Sequence, residues 1–258
     1  MKYRIFSALM VLAMVASLCV VAAAPASAAT PDVTVNAVDL GTDNAGANGV
    51  SCDITITANE QINVGDVITF EFTGFDLSNL DDEVDTNNNF KYFRWADGAG
   101  GDDLIGIGDL NITGNKITVY APAVIANTNQ ATLRLFSKAG LGNPDISQEP
   151  NVAGPCGEID TAPDNFYEVD VNGDDMDVQI FDYVEVDGSS FAKGATAEVT
   201  AKGFSPGATL HVTGGFAGSA VVGSDGTAVF DCTVTGVQVP LMAQDTTGRK
   251  ACIPWAGN

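Results

Sequence analysis

From residue 50 the chain alternates between apolar and polar positions. Val50, Cys52, Ile54, Ile56 and Ala58 are apolar, and Ser51, Asp53, Thr55 and Thr57 stand between them. A period of two is that of a half-buried strand, and it turns Cys52 toward a core. The alternation returns at Ile68, Phe70 and Phe72, at Ala131, Leu133 and Leu135, and at Tyr167, Val169 and Val171. It returns again at Ala195, Ala197, Val199 and Ala201, at Ala208, Leu210 and Val212, and at Ala228, Phe230, Cys232 and Val234. Turn signals separate these runs at Gly114-Asn115, Asn172-Gly173, Pro206-Gly207 and Asp225-Gly226. No stretch beyond the N-terminal segment carries the spacing of an amphipathic helix. Many short strands without helices predict an all-β chain of antiparallel sandwiches or barrels.

The N-terminal segment follows another logic. Lys2 and Arg4 precede an uncharged run from Ile5 to Ala24, and Ala26-Ser27-Ala28 supplies small residues for a signal peptidase. Residues 1–28 read as a secretory signal peptide. The run is also long enough to cross a bilayer, so an uncleaved anchor is the alternative. Cys19 raises lipid attachment, but Leu18 stands where that processing requires a small residue. No second long apolar run follows, so the mature chain is expected outside the cell, secreted or surface-associated, without a membrane span. Its length suits two sandwiches of roughly 100 residues each. The expected division is 29–181, a sandwich with long acidic loops, and 182–258, a compact second sandwich. Pro150, Gly154, Pro155, Gly157 and Pro163 mark an alternative linker.

Charge narrows the function. With 33 acidic and 11 basic residues the formal net charge is -22, which excludes a nucleic-acid binder that works by neutralising phosphates. A chain 45% hydrophobic and 17% charged is too apolar for a disordered acidic tail. Four cysteines remain after cleavage: Cys52, Cys156, Cys232 and Cys252. In an exported chain they read as disulfides with three possible connectivities, and two fall in each expected domain, so pairing within domains is expected. No CxxC spacing occurs, and the only histidine, His211, is remote from every cysteine, which argues against zinc.

Gly203-Phe204-Ser205-Pro206-Gly207-Ala208, the hairpin Gly223-Ser224-Asp225-Gly226-Thr227-Ala228 and the closing Asp245-Thr246-Thr247-Gly248-Arg249-Lys250-Ala251 carry a resemblance. The second half resembles the immunoglobulin-like β-sandwich modules of bacterial and archaeal secreted cell-surface proteins, of surface-layer or adhesin type. Residues 55–75 are similar to another β-sandwich module of such envelope proteins. The resemblance implies a sandwich fold and a place at the cell surface; it brings no catalytic residues.

Candidate chemistry lies in acidic turns. Between Lys138 and Lys193 stand 54 residues with 13 acids and no base, densest from Asp170 to Asp177. Asp170, Asn172, Asp174, Asp175 and Asp177 at such spacing repel one another unless a cation bridges them, and Ca²⁺ takes oxygen ligands of this kind. The EF-hand pattern fails, since Asp175 stands where Gly is needed and Phe181 where Glu is needed. The alternatives are a Ca²⁺ site and a solvated acidic hairpin. Two more acidic loops, Asp81-Asp82-Glu83-Val84-Asp85 and the glycine-rich turn with Asp97, Asp102 and Asp103, are further candidate ligands. Between them Phe90, Tyr92, Phe93 and Trp95 put aromatics on both faces of one strand, to be covered by the chain's own loops, another subunit or a sugar ring.

Val33 and Val35 read either as the first strand of their own domain or as a donor strand completing a neighbour's sheet. His211 alternates with Leu210 and Val212, so it is expected on the exposed face. Asn111-Ile112-Thr113 is a glycosylation sequon. No zincin motif, P-loop or dinucleotide fingerprint occurs. The sequence therefore points to a non-enzymatic extracellular structural protein, a subunit of a surface layer, fibre or matrix, stabilised by Ca²⁺ and assembling as a homo-oligomer or polymer. A monomeric adhesin module that binds polysaccharide or the cell envelope is the alternative.

Overall fold

The alternating runs pair into antiparallel sheets. The computed structural model describes residues 28–97, 104–145, 167–188, 191–236 and 241–253, and among these the chain is β apart from one 3-10 turn at Ser137–Ala139. The first part holds β1 (Val33–Leu40), β2 (Asn48–Val50), β3 (Cys52–Ala58), β4 (Val67–Thr73), β5 (Phe93–Asp97) and β6 (Leu104–Gly106). It continues with β7 (Leu110–Thr113), β8 (Lys116–Tyr120), β9 (Gln130–Leu135), β10 (Leu141–Gly142), β11 (Glu168–Val171) and β12 (Asp174–Asp177). One sheet runs β1-β3-β9-β5-β6 and the other β12-β11-β4-β8-β7, with β2 and β10 as a small ribbon.

The inward positions are the apolar ones of the alternation. Ile54, Leu133 and Trp95 stand side by side on β3, β9 and β5, as do Cys52, Leu135 and Phe93, all fully buried. Facing them from the other sheet are Ile68, Phe70 and Phe72 of β4 and Ile117 and Val119 of β8. In β1 the apolar period slips, since Val33 and Val35 are followed by Val38 and Leu40. A bulge between Val35 and Ala37 absorbs the extra residue, so that Val35 opposes Ile56 and Val38 opposes Ile54. Val33 and Val35 fill their own domain's core. The donor-strand reading is corrected accordingly: these side chains are already seated at home.

The second part is one seven-stranded sheet with its own core. Its strands are β13 (Tyr183–Asp187), β14 (Thr196–Lys202), β15 (Thr209–Gly214), β16 (Phe216–Val221), β17 (Ala228–Val234), β18 (Leu241–Asp245) and β19 (Lys250–Ile253). The order is β13-β14-β17-β16-β15-β18-β19, and the end strands β13 and β19 lie against each other. β16 changes partner midway: Phe216 and Ala217 pair with β17, then Gly218 to Val221 pair with β15. The crossing point favours glycine, because a Cβ on Gly218 would stand 3.0 Å from both Cys232 and Phe230, so one of them would have to shift. Ile180 is the last member of the first core and Val184 the first of the second.

The two cores are joined by more than the chain. Ala45 donates to the Phe181 carbonyl at 3.0 Å, Phe181 donates to Asp43 at 2.8 Å, and Lys202 Nζ donates to the Gly46 carbonyl at 3.0 Å. Gly203 presses on this loop so closely that a Cβ there would lie 2.9 Å from that of Ala45.

Candidate functional site

The acidic hairpin is built by its turn. Asn172 and Gly173 both have positive φ, 56° and 97°, the type I′ conformation that Asn-Gly favours and that suits the twist of two paired strands. Register then follows: Asp170 opposes Asp175 and Glu168 opposes Asp177. Because Val169 and Val171 point into the core, these four carboxylates share the outer face. Glu71 on β4 stands beside Asp170 and extends the row. Like charges directly opposed across a ladder destabilise the pair. Glu71 is relieved by Lys116, its partner at 2.7 Å, and by Asn115, and these bonds hold its carboxyl below the usual range.

The other two members of the predicted cluster do different work. Asn172 reaches back to the N-terminal segment, donating from Nδ2 to the carbonyls of Pro31 at 2.9 Å and Val67 at 3.4 Å. Its Oδ1 accepts from the Thr69 amide at 2.9 Å. Asp174 Oδ2 accepts from the Val35 amide at 2.7 Å. These two side chains of one sheet hold the N-terminal segment to it, Asn172 at Pro31 just before β1 and Asp174 at Val35 on β1. Among the described residues no three acidic, histidine or cysteine side chains converge to hold a metal ion. The acidic face is flat, not a cage.

The loop of residues 81–90 spends its acids on itself. Asp81 accepts from the Glu83 amide at 2.8 Å, and Glu83 pairs with Lys91. Asp85 accepts from the Asn87 and Asn89 amides at 2.8 and 3.0 Å, bonds that hold its carboxyl below the usual range, with Asn89 the larger cause. Asp82 alone of this group is exposed and bonded to nothing described. Asp97 ends β5, while Asp102 and Asp103 lie outside the described residues.

The aromatic strand is core. β5 lies inside its sheet, between β9 and β6, and Phe93 and Trp95 are fully buried. Phe90 and Tyr92 precede the strand, half-buried against the same core, with Phe90 edge-on to Phe93 at 6.2 Å. Phe93 and Trp95 are therefore corrected from ligand contacts to structural residues, since a ring with no exposed surface cannot meet a sugar or a subunit. Among the described residues the indole Nε1 of Trp95 meets no hydrogen-bond partner.

The cysteines are likewise corrected. Cys52 and Cys232 are buried free thiols, one in each core. Alternation explains why Cys232 cannot meet Cys252: Cys232 and Ala251 point inward, which puts Cys252 on the opposite face of its sheet. Cys252 is disulfide-bonded, and Cys156 lies outside the described residues. Burial raises the pKa of both free thiols, with Asp53 and Asp39 adding to the effect at Cys52.

Two arrangements escaped the sequence reading. On the outer face of the first sheet, Asp39, Asp53, Arg134 and Arg94 stand in one row across β1, β3, β9 and β5. Arg134 forks onto Asp53 with contacts of 2.9, 3.0 and 2.6 Å, beside a shallow cleft of about 370 Å³ lined also by Asp39, Leu40, Ser51 and Phe136. In the second domain Asp245 accepts from the amides of Thr247, Gly248 and Arg249 at 2.8, 2.9 and 3.1 Å, and from the Ser205 amide at 3.0 Å. Arg249 returns bonds of 2.9 Å to both the Ser205 hydroxyl and the Gly203 carbonyl. Two of the three segments that carry the sequence resemblance, at Gly203–Ala208 and Asp245–Ala251, thus meet and tie each other. His211 lies exposed on β15 and Asn111 exposed on β7.

No family model matches the chain, and no curated protein does. Among solved structures, a transglutaminase of red sea bream aligns with 87% of this chain and 32% of its own at 10% identity and a TM-score of 0.23, so the chain spans about a third of that protein. A likeness of that size carries no argument; the all-β sandwich architecture rests on the strands themselves.

Proposed function

We propose that this chain is a non-enzymatic extracellular structural protein, a subunit of a surface layer, fibre or matrix, exported by its N-terminal segment. One observation carries the reading. Glu71, Glu168, Asp170, Asp175 and Asp177 lie on one flat face, in three directly opposed like-charge pairs that share Asp170 between two of them. Such a face costs stability in an isolated subunit and repels its own copies until counter-ions arrive. Strands lie about 4.8 Å apart, so the carboxylates form a grid too open to enclose an ion but suited to sharing Ca²⁺ with a second face. Ca²⁺ is then an assembly ion, held between copies, and the homopolymer is the partner. The resemblance of the second domain to cell-surface modules agrees with this setting.

The test is thermal. Ca²⁺ should raise the melting temperature more than sodium chloride of equal ionic strength, because specific binding adds to screening. The double substitution Asp170→Asn and Asp175→Asn should remove most of that excess. Equal melting in Ca²⁺ and in chelator would leave the face as solvated surface and end the proposal.

A further inference from the structure

Asn172 sits where the N-terminal segment is fastened to the opposite sheet. Residues 29–31 run beside β4, with the Val67 amide donating to the Ala29 carbonyl at 2.8 Å, before β1 crosses to pair with β3. The Asn172 amide holds this crossing from one side, through the Pro31 carbonyl, and Asp174 holds it from the other, through the Val35 amide. Asn172 is also followed by Gly173, and an asparagine before glycine is the sequence most prone to cyclise, since no side chain hinders the following amide.

We propose that Asn172 is a deamidation site whose reaction is gated by release of the N-terminal segment, and that the reaction makes the release permanent. In the chemistry the Gly173 backbone nitrogen attacks Cγ of Asn172. The new N–Cγ bond closes a five-membered succinimide, the Cγ–Nδ2 bond breaks, and ammonia leaves with the proton from Gly173. Water then opens the ring to aspartate or isoaspartate.

In the closed state every participant is tied down. Oδ1 and Nδ2 are engaged with Thr69, Pro31 and Val67, and the Gly173 amide donates to Asp170 Oδ1 at 3.0 Å. Asn172 itself is fixed at φ 56° by the I′ turn. Once the segment lifts, the side-chain amide loses the Pro31 carbonyl and is freer to turn toward Gly173. After reaction a carboxylate faces the carbonyl oxygens of Pro31 and Val67 that the amide used to satisfy, among the acids of the same hairpin. Acceptor then faces acceptor, and the latch cannot close again.

Peptide mapping by mass spectrometry, after incubation of the chain beginning at Ala29 in mildly alkaline buffer, follows the reaction. Asn172 should convert roughly tenfold or more slowly in the native protein than in urea, the factor set by how rarely the latch opens. The variant Asn172→Asp should speed hydrogen exchange in β1 by a similar factor of about tenfold while β8 and β17 stay protected. Should that variant fail to fold, Asn172→Ser, which removes the amide and shortens the side chain without adding charge, gives the same readout to a smaller degree. Equal conversion rates in native and urea-treated protein would overturn the gating. Unchanged exchange in β1 of every folded variant would overturn the latch.

Discussion

Asp245 shows how one side chain can organise a turn. A carboxylate 4% exposed that accepts four backbone amides and a hydroxyl replaces water almost completely. Hydrogen bonds to a charged group are worth about 1.5–3 kcal/mol each, and losing one partner leaves the other groups unsatisfied. Asp245→Ala should therefore cost about 3 kcal/mol in urea unfolding, with the slope unchanged. An effect below about 0.5 kcal/mol, the level of an ordinary surface change, would contradict the keystone role. The buried thiols give a second prediction at this scale. A thiol whose pKa is raised stays protonated and unreactive as pH rises, so Cys52 and Cys232 should resist alkylation at pH 8 in the native protein and react after denaturation. Labelling of either residue in the folded chain would contradict its place in the core.

At the scale of the element, β1 is a full member of the first domain. It pairs with β3 along its length, buries Val33 and Val35, and is held to the facing sheet by Asp174 at Val35 and by Asn172 at Pro31 just before it. A chain beginning at Asp39 should lose the fold of the first domain, read as loss of its cooperative unfolding transition, while the second domain keeps its own. Retention of both transitions would show β1 to be dispensable. The strands legible in the sequence were those with clean alternation of large apolar residues, such as β3, β4 and β9. Others were hidden for physical reasons. β12, Asp174–Asp177, was legible only through its Asn-Gly turn, since it has almost no apolar content and is a strand because the I′ turn templates it against β11. β16, Phe216–Val221, is built largely of small residues whose alternation is faint, and its change of partner depends on space at Gly218.

The aromatic strand was misjudged for the opposite reason. Phe90 and Tyr92 fall before β5 begins, so the apparent two-faced strand is one buried face and a lead-in. The acidic loops looked alike in sequence, yet residues 81–90 consume their carboxylates in their own backbone whereas the hairpin at Asp170 to Asp177 displays most of its acids outward. Which acid accepts an amide depends on loop geometry that composition does not record.

For the whole molecule, the central claim is assembly through an acidic face. The two domains are tied by the loop around Ala45, by Phe181 and by Lys202. Copies with a net charge of -22 repel one another, and divalent ions must neutralise that repulsion before faces meet. Sedimentation velocity of the chain beginning at Ala29, with millimolar Ca²⁺ and then with chelator, addresses this most directly. Large species in Ca²⁺ that return to monomer in chelator, and that Asp170→Asn with Asp175→Asn abolishes, are the predicted result. A monomer at high concentration in millimolar Ca²⁺ would contradict it.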